Sequence, residues 1–532
     1  MRIRLEHLPA DVVGLDPSSA EALASGQRGG LVVARKPAEV QRPEDLHDPG
    51  TRQLLAEDIG RGLAGIEVPG RVETSLQVLS NAGTFCVITG QQPGFLCSPL
   101  FNLYKALHAC RLADRLARDW GVPVVPVFWN HADDHDVAEV HHGWVLNRNL
   151  DLQKVGLAGM SSGRQPLSRL TLEDSTHRLG ATRAALRAVW EEHERVDEAL
   201  ELFMPREGET LPRAFSRALT ELCGAHGLVM VEPDWIRTTL SRELARVVGS
   251  DPLPHLLRGS GEAPAIDPGS AALVYRVDES GRRALRPGGE GFRYDGEEGS
   301  RSPAELAAEI VQEPERWSAG ALLRPVVQDL AFPTCATIGG WGELAYHAQL
   351  GPLREACGAS APVFVPRASC TLVEPEVRTA LEKAGAQLRE VLEARGTFGL
   401  ETEESAAPSV VEAVREDLER FGETLLSHRS ALGELEPALS VNLKRAVDQA
   451  RGAVEKVLGK AERVHANRAG KGKRQLRRLN HTLFPREAPQ ERVLGPLGFT
   501  ARWGRRWIDL LYEELPAGGA EHLVVHLEEP EE

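Results

Sequence analysis

The sequence predicts an α/β protein built on a parallel sheet, followed by a helical region after residue 374. Two short apolar runs, 84–88 and 122–129, are rich in β-branched and aromatic residues and flank a segment, 99–118, with apolar residues at helical spacing. This order predicts a right-handed βαβ unit, whose two strands are parallel. Beyond residue 374 the apolar residues step by three and four, which is typical of a coiled coil.

Glycines and prolines set the boundaries of the βαβ unit. Gly90 and Pro93 end the first strand, while Ser98 and Pro99 suit the N-cap and the first position of the helix. The prolines of the second run are tolerated near the start of a strand or at a bulge. We therefore expect the turns after the two strands to lie side by side at the carboxyl edge of the sheet, where α/β proteins bind ligands.

The sheet is expected to continue after insertions. Further short apolar runs predict strands at 227–231, 322–327, 335–338 and 362–366. A helical stretch is expected from Leu344. The pieces at about 143–220 and 235–320 are expected to be inserted helical or irregular segments, and residues 258–300, dense in Gly, Glu, Arg and Ser, to be the most flexible part.

The helical region is expected to form an antiparallel arm. An earlier helix is predicted at about 375–395, and Pro437 separates two apolar seams, 411–425 and 439–457. Gly396 and a linker at 405–409 would close the arm on the other side. The resulting domains are a core over 1–373, an arm over 374–485 and a C-terminal segment over 486–532 that returns to the core.

Composition limits the class of protein. The chain has 532 residues, of which 42% are hydrophobic, and its mean hydropathy is −0.27, as expected for a soluble globular protein of two or three domains. The N-terminal residues have no apolar signal region, and no run of about 18 apolar residues predicts a membrane span. We therefore expect a cytoplasmic protein without a membrane partner.

Cysteine usage and charge exclude further classes. The seven cysteines form no C-x-x-C pair, so neither a disulfide framework nor a zinc ribbon is indicated. The net charge of −15 argues against general nucleic-acid affinity. A basic run near the end of the arm is interpreted as a solvated face rather than a nucleic-acid contact; it comprises Arg468, Lys471, Lys473, Arg474, Arg477 and Arg478.

The turn after the first strand is one candidate ligand site. Its residues are Thr89, Gly90, Gln91, Gln92, Pro93 and Gly94. Glycines let backbone N–H groups approach an anion, and the following helix N-terminus adds its dipole, so the turn suits a phosphate or a carboxylate. An ordinary Gly/Pro turn is the alternative.

The loop after the second strand is the other candidate. His131, Asp133, Asp134, His135 and Asp136 fall within six residues, and such crowding of like charges is unfavourable without a compensating cation or ligand. Asp134 or His135 could remove a proton from an attacking amine, and His131 could contact a phosphate. A solvated capping loop is the alternative, and we favour a functional loop.

A metal site at this loop is a second alternative. His and Asp are suitable ligands for zinc, but the spacing is not H-E-x-x-H, so no metal is assigned. Weaker candidates for the same cleft are Asp329 and the group Gly339, Gly340 and Glu343, each of which could equally be a cap or a surface group.

Scattered motifs over nearly the whole chain resemble the cysteine ligase family of bacillithiol biosynthesis. They are T-G-Q-Q-P-G at 89–94, Leu-Tyr-Lys-Ala at 103–106, W-x-x-x-D-D-H-D at 129–136, R-P-x-V-Q-D at 324–329, G-G-x-G-E at 339–343 and P-Q-E-R at 489–492. The resemblance implies a Rossmann-like core related to class I nucleotidyltransferases, inserted connecting segments and a coiled-coil domain that supports a homodimer. It also implies that Tyr104 and Lys105 belong to the site and that cysteine is joined to the amine of glucosaminyl malate.

The chain departs from the family pattern at several positions. Cys97 and Ser98 replace a common Gly-Gly, Asp133 replaces Glu, and Trp341 replaces Pro. These changes put the shape of the pocket and the identity of the substrate in question. The chain also has no H-x-G-H or K-M-S-K-S sequence, so an adenylation mechanism cannot be inferred from its residues.

Amide formation from a carboxylate normally needs activation, so ATP or another nucleotide is a hypothesis for the activating substrate. The turn at 89–94 would then hold phosphates or the substrate carboxylate. Two other classes remain open, a metal-dependent hydrolase that uses the loop 131–136 and a non-catalytic coiled-coil scaffold.

Overall fold

The computed structural model divides the chain into two units. Unit 1 is formed by residues 1–375 and 488–532, and unit 2 by residues 376–487. The structure describes residues 1–45, 47–147, 149–157, 160, 163–172, 176–259, 263–289, 291–294, 299–399, 406–468, 471–519 and 521–529.

The strands of the described residues are given in chain order. They are β1 Arg2–Pro9, β2 Gln27–Arg28, β3 Leu31–Val32, β4 Phe85–Gln91, β5 Val124–Asn130, β6 His142–Leu146, β7 Leu152–Gly156, β8 Val229–Val231, β9 Val274–Asp278, β10 Gly281–Gly288, β11 Gly291–Tyr294, β12 Trp317–Ala319, β13 Thr334–Gly339, β14 Val363–Pro366, β15 Ser369–Val373 and β16 Glu521–Glu528.

The α-helices are likewise given in chain order. They are α1 Pro17–Ser25, α2 Pro49–Gly62, α3 Gly70–Leu79, α4 Phe101–Trp120, α5 Val137–Val140, α6 Thr176–Val189, α7 Val196–Phe203, α8 Leu211–Cys223, α9 Arg237–Gly249, α10 Pro252–Arg258, α11 Pro303–Gln312, α12 Arg324–Ala331, α13 Trp341–Ala348, α14 Gly351–Cys357, α15 Pro375–Ala384, α16 Leu388–Glu393, α17 Ala406–Ser427, α18 Arg429–Leu435, α19 Pro437–Arg468, α20 Lys471–Leu483, α21 Gln490–Val493, α22 Leu497–Trp503 and α23 Arg506–Glu514. Within the described parts of the chain, none of these helices has the length and apolar character needed to cross a membrane.

A five-stranded parallel sheet forms the centre of unit 1, and this confirms the predicted α/β class. Its order is β14-β13-β4-β5-β8, and every neighbouring pair is parallel. β4 and β5 are buried on both faces, as the continuous apolar runs predict for a parallel sheet. The chain order of the strands reverses between β4 and β13, and the crevice at such a switch point is the usual ligand site of this architecture.

The strand predicted at 322–327 is wrong. Residues 324–331 form α12, in which Pro325 occupies the first turn. Leu322, Leu323, Val326 and Val327 are all buried, and a short apolar run buried on all sides has no periodicity that separates a strand from a helix. Asp329 therefore lies inside a helix and not at a strand end.

The insertions also contain sheets that the sequence did not predict. β6 and β7 form an antiparallel hairpin within 143–220, and β9 to β12 form a four-stranded sheet within 235–320. The expectation of helical or irregular structure there is right for α6 to α11 and wrong for these strands, because β9 and β10 show no regular alternation of buried and exposed residues that a sequence pattern could reveal. Part of the segment 258–300 lies outside the described residues, and its described part holds β9, β10 and β11.

Two further differences concern element ends. α4 begins at Phe101 rather than at Pro99, since a 3-10 turn over Phe95–Cys97 and a cis Ser98–Pro99 peptide precede it. The helix expected from Leu344 starts at Trp341, where Gly340 is the N-cap. A third sheet, β1-β16-β15, joins the two ends of the chain to the residues after β14.

Unit 2 is helical, as predicted for the arm. Arg415 pairs with Glu455 and Arg451 with Glu419, so α17 and α19 run antiparallel. The helix predicted at 375–395 is broken into α15 and α16 near Gly385, which has a φ of 62°. α17 starts at Ala406, inside the predicted linker, whose Ser405 lies outside the described residues. In the basic run, the side chains of Arg468, Lys471, Lys473 and Arg474 also lie outside them.

Candidate functional site

The carboxyl ends of β4, β5 and β13 bring the two candidate turns together at the switch point. Gln91 is paired with Asn130 at the ends of β4 and β5, and the backbone N–H of His131 donates to the carbonyl of Gln91 at 2.9 Å. The side-chain amide of Gln92 donates to Asp134 at 2.6 Å. The predicted neighbourhood of the two motifs is therefore present.

The turn at 89–94 is held largely by the protein itself. Thr89 Oγ1 donates to the carbonyl of Ile338 at 2.9 Å, which links β4 to β13. A Cβ on Gly90 would lie 2.7 Å from the carbonyl oxygen of Trp129, and one on Gly94 would lie 1.8 Å from that of Ser98. These glycines are needed because other parts of the chain fill the space beside them, and not to admit an anion.

Lys105 and Glu343 fasten the same edge of the sheet. The buried Lys105 ammonium donates to Gly90 O at 2.8 Å, to Gln91 Oε1 at 2.9 Å and to Glu343 Oε2 at 2.7 Å. Glu343 Oε2 also accepts the backbone N–H of Gly340 at 2.7 Å and so caps α13. All three donors of the ammonium are used, so Lys105 positions the turn between strands rather than offering a free charge.

A cavity of about 200 Å³ opens beside the second motif. It is lined by Trp129, His131, Asp133, Asp134, Pro233, Arg237, Leu240, Leu244, Tyr275, Arg282, Trp317, Ser318, Ala319, Ala321, Arg324 and Val327. Four buried nitrogen atoms of these residues have no hydrogen-bond partner in the described part of the chain: Trp129 Nε1, His131 Nε2, Arg282 Nε and Trp317 Nε1. Buried donors without partners are uncommon and indicate a place for a polar ligand or water.

The charges around this cavity favour an anion. Asp133 is paired with Arg237 through both guanidinium nitrogens, and Asp134 faces Arg282 at 3.7 Å. Arg324 has no carboxylate partner among the described residues; its guanidinium donates to the hydroxyl of Tyr346 at 3.4 Å. One guanidinium is therefore left to bind a carboxylate or a phosphate.

The two ionisable groups at the centre differ in charge. Burial would raise the pKa of Asp134, but hydrogen bonds from His135 and Gln92, with Arg282 nearby, hold the pKa well below its ordinary value. Burial, together with Arg324 and Lys105, holds the pKa of His131 well below its ordinary value. Asp134 is thus a carboxylate and His131 a neutral imidazole at physiological pH.

Three further residues that were predicted for the site lie outside the cavity and have structural roles. Tyr104 is fully buried in the hydrophobic core. Asp136 is exposed and caps α5 through the N–H of Ala138. Asp329 forms a buried ion pair with Arg354 at 2.9 Å. These three residues do not line the cavity, because Tyr104 points into the core, Asp136 is a helix cap and Asp329 belongs to α12.

Gly339 and Pro93 contribute packing at this edge. A Cβ on Gly339 would lie 2.7 Å from the ring of Phe364, and Pro93 is buried. His135, in contrast, is half-exposed, with its Nδ1 3.4 Å from Arg282, and it does not line this cavity. The structure therefore assembles His131, Asp133 and Asp134 around one cavity, with His135 next to Arg282 on its wall, and leaves the glycines as its frame.

Tyr275, Arg282, Trp317 and Arg324 are among the cavity residues that were not predicted from the sequence. Arg324 opens the R-P-x-V-Q-D motif, so attention to the first residue of that motif rather than to its last would have found it. The other three belong to the inserted sheet of β9 to β12, where neither spacing nor motif gave a signal.

The positions that depart from the family pattern have local explanations. Cys97 has a φ of 55°, in the left-handed region that glycine adopts without strain. Ser98 Oγ would lie 2.1 Å from a Cβ on Gly495 and 2.6 Å from one on Gly143, so this hydroxyl fills the space between two glycines. Trp341 packs against the small cluster that contains Leu31 and Phe364.

Comparison with known proteins decides the family. The model "Bacillithiol biosynthesis BshC, N-terminal Rossmann-like domain" matches residues 36–368, and "Bacillithiol biosynthesis BshC, C-terminal coiled-coil domain" matches residues 370–527. The chain belongs to the BshC family. The Rossmann-like core and the coiled-coil domain predicted from the sequence are thereby confirmed.

Curated BshC relatives are similar over most of their length. The protein named "Putative cysteine ligase BshC" from Koribacter versatilis is 29% identical over 90% of this chain and 91% of its own. Those from Salinibacter ruber and Heliobacterium modesticaldum are 28% and 30% identical and cover 90% and 85% of this chain. The similarity therefore spans both units.

The P-Q-E-R motif has a structural explanation in this BshC-family chain. Gln490 exchanges two hydrogen bonds with the backbone of Leu372, at 2.8 and 3.0 Å. Glu491 accepts the backbone N–H of Cys370 at 2.9 Å and the guanidinium of Arg367 at 2.6 Å. The motif fastens the C-terminal segment to β15, some distance along the chain from the cavity. No group of three or more metal-ligating side chains is found among the residues that the structure describes.

Proposed function

We propose that this protein is a ligase that joins the carboxyl group of cysteine to the amine of glucosaminyl malate, the last step of bacillithiol biosynthesis. The observation that carries the proposal is a cavity in which Arg324 has no carboxylate partner among the described residues, at the switch point of the parallel sheet of this BshC-family chain. The names of the curated relatives support the same reaction.

Arg324 is assigned to the carboxylate of cysteine. A guanidinium binds a carboxylate through two parallel N–H bonds, and a charge-assisted bond of this kind is stronger in a secluded cavity than in water. Because the other two arginines of the cavity already face Asp133 and Asp134, Arg324 is the group that can be neutralised by the substrate.

Asp134 and the histidines are assigned to the amine. An ionised Asp134 can accept a hydrogen bond from the amine and orient it, but a carboxylate with a strongly lowered pKa is a weak base. The nitrogen becomes strongly acidic once it has attacked the carbonyl carbon, so a neutral imidazole can take its proton. We therefore assign proton removal to His135, in place of Asp134. His131, whose pKa is also held well below its ordinary value, is a weak base as well and is left to accept a hydrogen bond from the amine.

Activation by a nucleotide completes the proposal. A free carboxylate resists attack by an amine, and transfer of an adenylyl or phosphoryl group to one of its oxygens supplies the leaving group. The new C–N bond then forms as that oxygen leaves with its phosphate. The turn at 89–94 offers little room for phosphates, since protein atoms fill the space beside Gly90 and Gly94. We place the transferred group near Arg324.

The first test is product formation by the purified full chain. The enzyme is mixed with cysteine, glucosaminyl malate and ATP, and the thiol product and the nucleotide products are measured by mass spectrometry. We expect the ligated thiol together with either AMP or ADP. Isothermal titration with each substrate is run in parallel, and no heat with any of the three would contradict the assignment.

Two variants localise the activity. Arg324→Ala should lower the rate at least about tenfold, as expected for the loss of a charge-assisted bond, while Arg316→Ala, an exposed arginine outside the cavity, should not change it. A chain that is folded but makes no thiol in vitro, and whose removal leaves cellular thiols unchanged, would be a scaffold and not a ligase.

We further propose that the protein acts in the cytoplasm as a homodimer formed through unit 2. Most of the exposed large apolar side chains lie on this unit, among them Val410, Phe421, Leu435 and Val457. Unpartnered apolar side chains on a helical surface are typical of a contact with a second chain. Light scattering should give the mass of a dimer, and Phe421→Glu with Val457→Glu should give a monomer; a monomeric wild-type chain would contradict the proposal.

A further inference from the structure

The cavity beside the second motif has an apolar side that the charged groups described above do not occupy. Its apolar side chains come from β5, β12, α9 and α12 and from the 3-10 turn before α9, and they are buried. The larger ones are Trp129, Pro233, Leu240, Leu244, Trp317 and Val327. A cavity with a charged side and an apolar side is typical of a site for a small ligand of mixed polarity.

The helices α9 and α12 each present a charged and an apolar side chain on one face. Arg237, Leu240 and Leu244 follow one another at spacings of three and four on α9, so they share a face of that helix. Arg324 and Val327 are three residues apart on α12 and share a face in the same way. All five line the cavity. In each helix the arginine comes first, and the nearest apolar residue follows about 5 Å further along the axis.

Both arginines lie toward the loop after β5. Arg237 is bonded to Asp133 through both guanidinium nitrogens, and Arg324 is close enough to His131 to help lower the pKa of that imidazole. The charged ends of the two helix faces therefore meet the loop. The two leucines of α9 and Val327 of α12 continue the cavity wall away from it.

We propose that this apolar side, which we call the side-chain pocket and which is formed by Leu240, Leu244 and Val327 with the rings of Trp129 and Trp317, binds the side chain of cysteine and selects cysteine among amino acids. The inference rests on the proposed function, in which Arg324 holds the cysteine carboxylate. A single methylene group separates the α-carbon of cysteine from its sulfur. With the carboxylate on Arg324, the thiol therefore reaches the pocket about one helical turn away.

The polarity of the pocket matches a thiol and not a hydroxyl. A thiol behaves as a small apolar group with a weak S–H donor. The hydroxyl of serine would give up its hydrogen bonds to water on entering a pocket of leucine and valine side chains, and this loss is costly. Cysteine is thereby favoured over serine, which differs from it by one atom.

The walls of the pocket also limit the size of the side chain. Leu240, Leu244 and Val327 belong to the hydrophobic core of unit 1, so they are held by their neighbours and cannot move aside without disturbing it. Homocysteine adds one methylene group, against which a packed apolar pocket discriminates by about tenfold or more. Polarity therefore excludes serine, and size excludes homocysteine.

Binding of three amino acids to the full wild-type chain tests the polarity of the pocket. Isothermal titration under reducing conditions compares cysteine, serine and 2-aminobutyrate, which has a methyl group in place of the thiol. The chain should bind 2-aminobutyrate within about threefold of cysteine and bind serine at least about tenfold more weakly. Equal binding of serine and cysteine would mean that a polar group, such as the indole N–H of Trp317, recognises the side chain, and it would overturn the proposal.

Leu244→Ala tests the size of the pocket. The variant has room for one more methylene group, so the preference for cysteine over homocysteine, measured as the ratio of their dissociation constants, should fall at least about tenfold. Leu306→Ala is the matched control, because Leu306 is a buried leucine of α11, which packs on α9, and does not line the cavity. The control should keep the wild-type ratio. If a thermal melt shows that Leu244→Ala is unfolded, Val327→Ala takes its place and should change the ratio in the same direction.

Two results with these variants would overturn the proposal. One is a wild-type ratio in a folded pocket variant, and the other is a ratio that Leu306→Ala changes as much as Leu244→Ala does. Failure of the proposed function is distinguishable from failure of the pocket. A wild-type chain that binds none of these amino acids would contradict cysteine as a substrate, whereas a chain that binds cysteine and serine equally well would contradict the pocket alone.

Discussion

The turn after β4 and the loop after β5 look equally like ligand sites in the sequence, but they differ in where their polar groups go. In the turn, Thr89, Gln91 and the carbonyl of Gly90 are bonded to other strands or to Lys105. In the loop, His131 and Asp134 line a cavity together with Arg324, which has no carboxylate partner in the part of the chain that the structure describes. The turn connects neighbouring strands, and the loop is the part that we propose contacts the substrate.

This difference shows that the chemistry of a motif depends on what occupies the space beside it. A Gly-rich turn can admit an anion or another part of its own chain, and both uses select the same residues. Here the carbonyl oxygens of Trp129 and Ser98 take that space. Substitutions in the turn should therefore act on stability, and substitutions in the cavity should act on binding and turnover.

The largest effect is expected for Gly94→Ala. The new Cβ would lie 1.8 Å from the backbone oxygen of Ser98, and backbone cannot move aside as a flexible side chain can. We expect a loss of about 3 kcal/mol or more in the free energy of unfolding, measured by urea denaturation. Gly342→Ala is the control, since no atom lies within 4 Å of its Cβ. Equal stability of the two variants would contradict the packing role of the turn.

Lys105→Met should be nearly as destabilising. Removing the ammonium leaves Glu343 without its cation and two partly buried oxygens, Gly90 O and Gln91 Oε1, without their donor. Breaking an ion pair whose cation is buried costs about 3 kcal/mol. Chemical denaturation is the measurement, and the exposed Lys444→Met should change stability by less than about 0.5 kcal/mol. A stable but inactive Lys105→Met would instead give Lys105 a role in binding.

Glu232→Gln tests the support beneath the loop through its pH dependence. Burial raises the pKa of Glu232 to about 7, and Ser216 links this group to Asn130, the residue before His131. An acid whose pKa is raised in the folded state loses stability as the pH rises from its unfolded pKa, about 4.3, to its folded pKa. The variant should match the wild type near pH 4.5 and be about 3 kcal/mol more stable above pH 7. Thermal melts at both pH values decide this, and a difference that does not vary with pH would contradict it.

Asp134→Asn should change activity more than stability. The pKa of Asp134 is held well below its ordinary value, so the carboxylate keeps its charge throughout the working pH range. The stability it adds is present above its unfolded pKa, about 3.9, and is lost only in more acidic solution. We expect the rate to fall about tenfold, and by the same factor at every pH from about 6 to 9. Asp136→Asn, which changes an exposed cap, should leave the rate unchanged. A shifted acidic limb in Asp134→Asn would make Asp134 the base.

The sequence predicts the parallel core well because its strands are local. β4, β5, β8, β13 and β14 are short apolar runs with turn residues at their ends, and the βαβ rule makes the first two neighbours. The helical arm is equally predictable, because its apolar residues recur at spacings of three and four. In both cases a pattern of a few residues determines the element, with no information needed from distant parts of the chain.

The missed parts depend on long-range contacts. Residues 322–331 are apolar and buried, which is compatible with a strand as well as with the observed α12. The inserted sheet supplies Tyr275, Arg282 and Trp317 to a cavity whose other wall is more than 130 residues earlier in the chain. The lack of a carboxylate partner for Arg324 among the described residues could not be predicted either, because it is recognised only when the neighbours of the guanidinium are known.

The binding of cysteine to Arg324 is the most direct test of the central claim, that the cavity and not the turn binds the substrate. Isothermal titration of cysteine is compared for the wild-type chain, Arg324→Ala, Gln91→Ala and Arg316→Ala. The account predicts that Arg324→Ala weakens cysteine binding at least about tenfold, while Gln91→Ala and Arg316→Ala, if folded, retain it. Unchanged cysteine binding in Arg324→Ala, together with lost cysteine binding in a folded Gln91→Ala, would show that the substrate binds at the turn and would contradict the account.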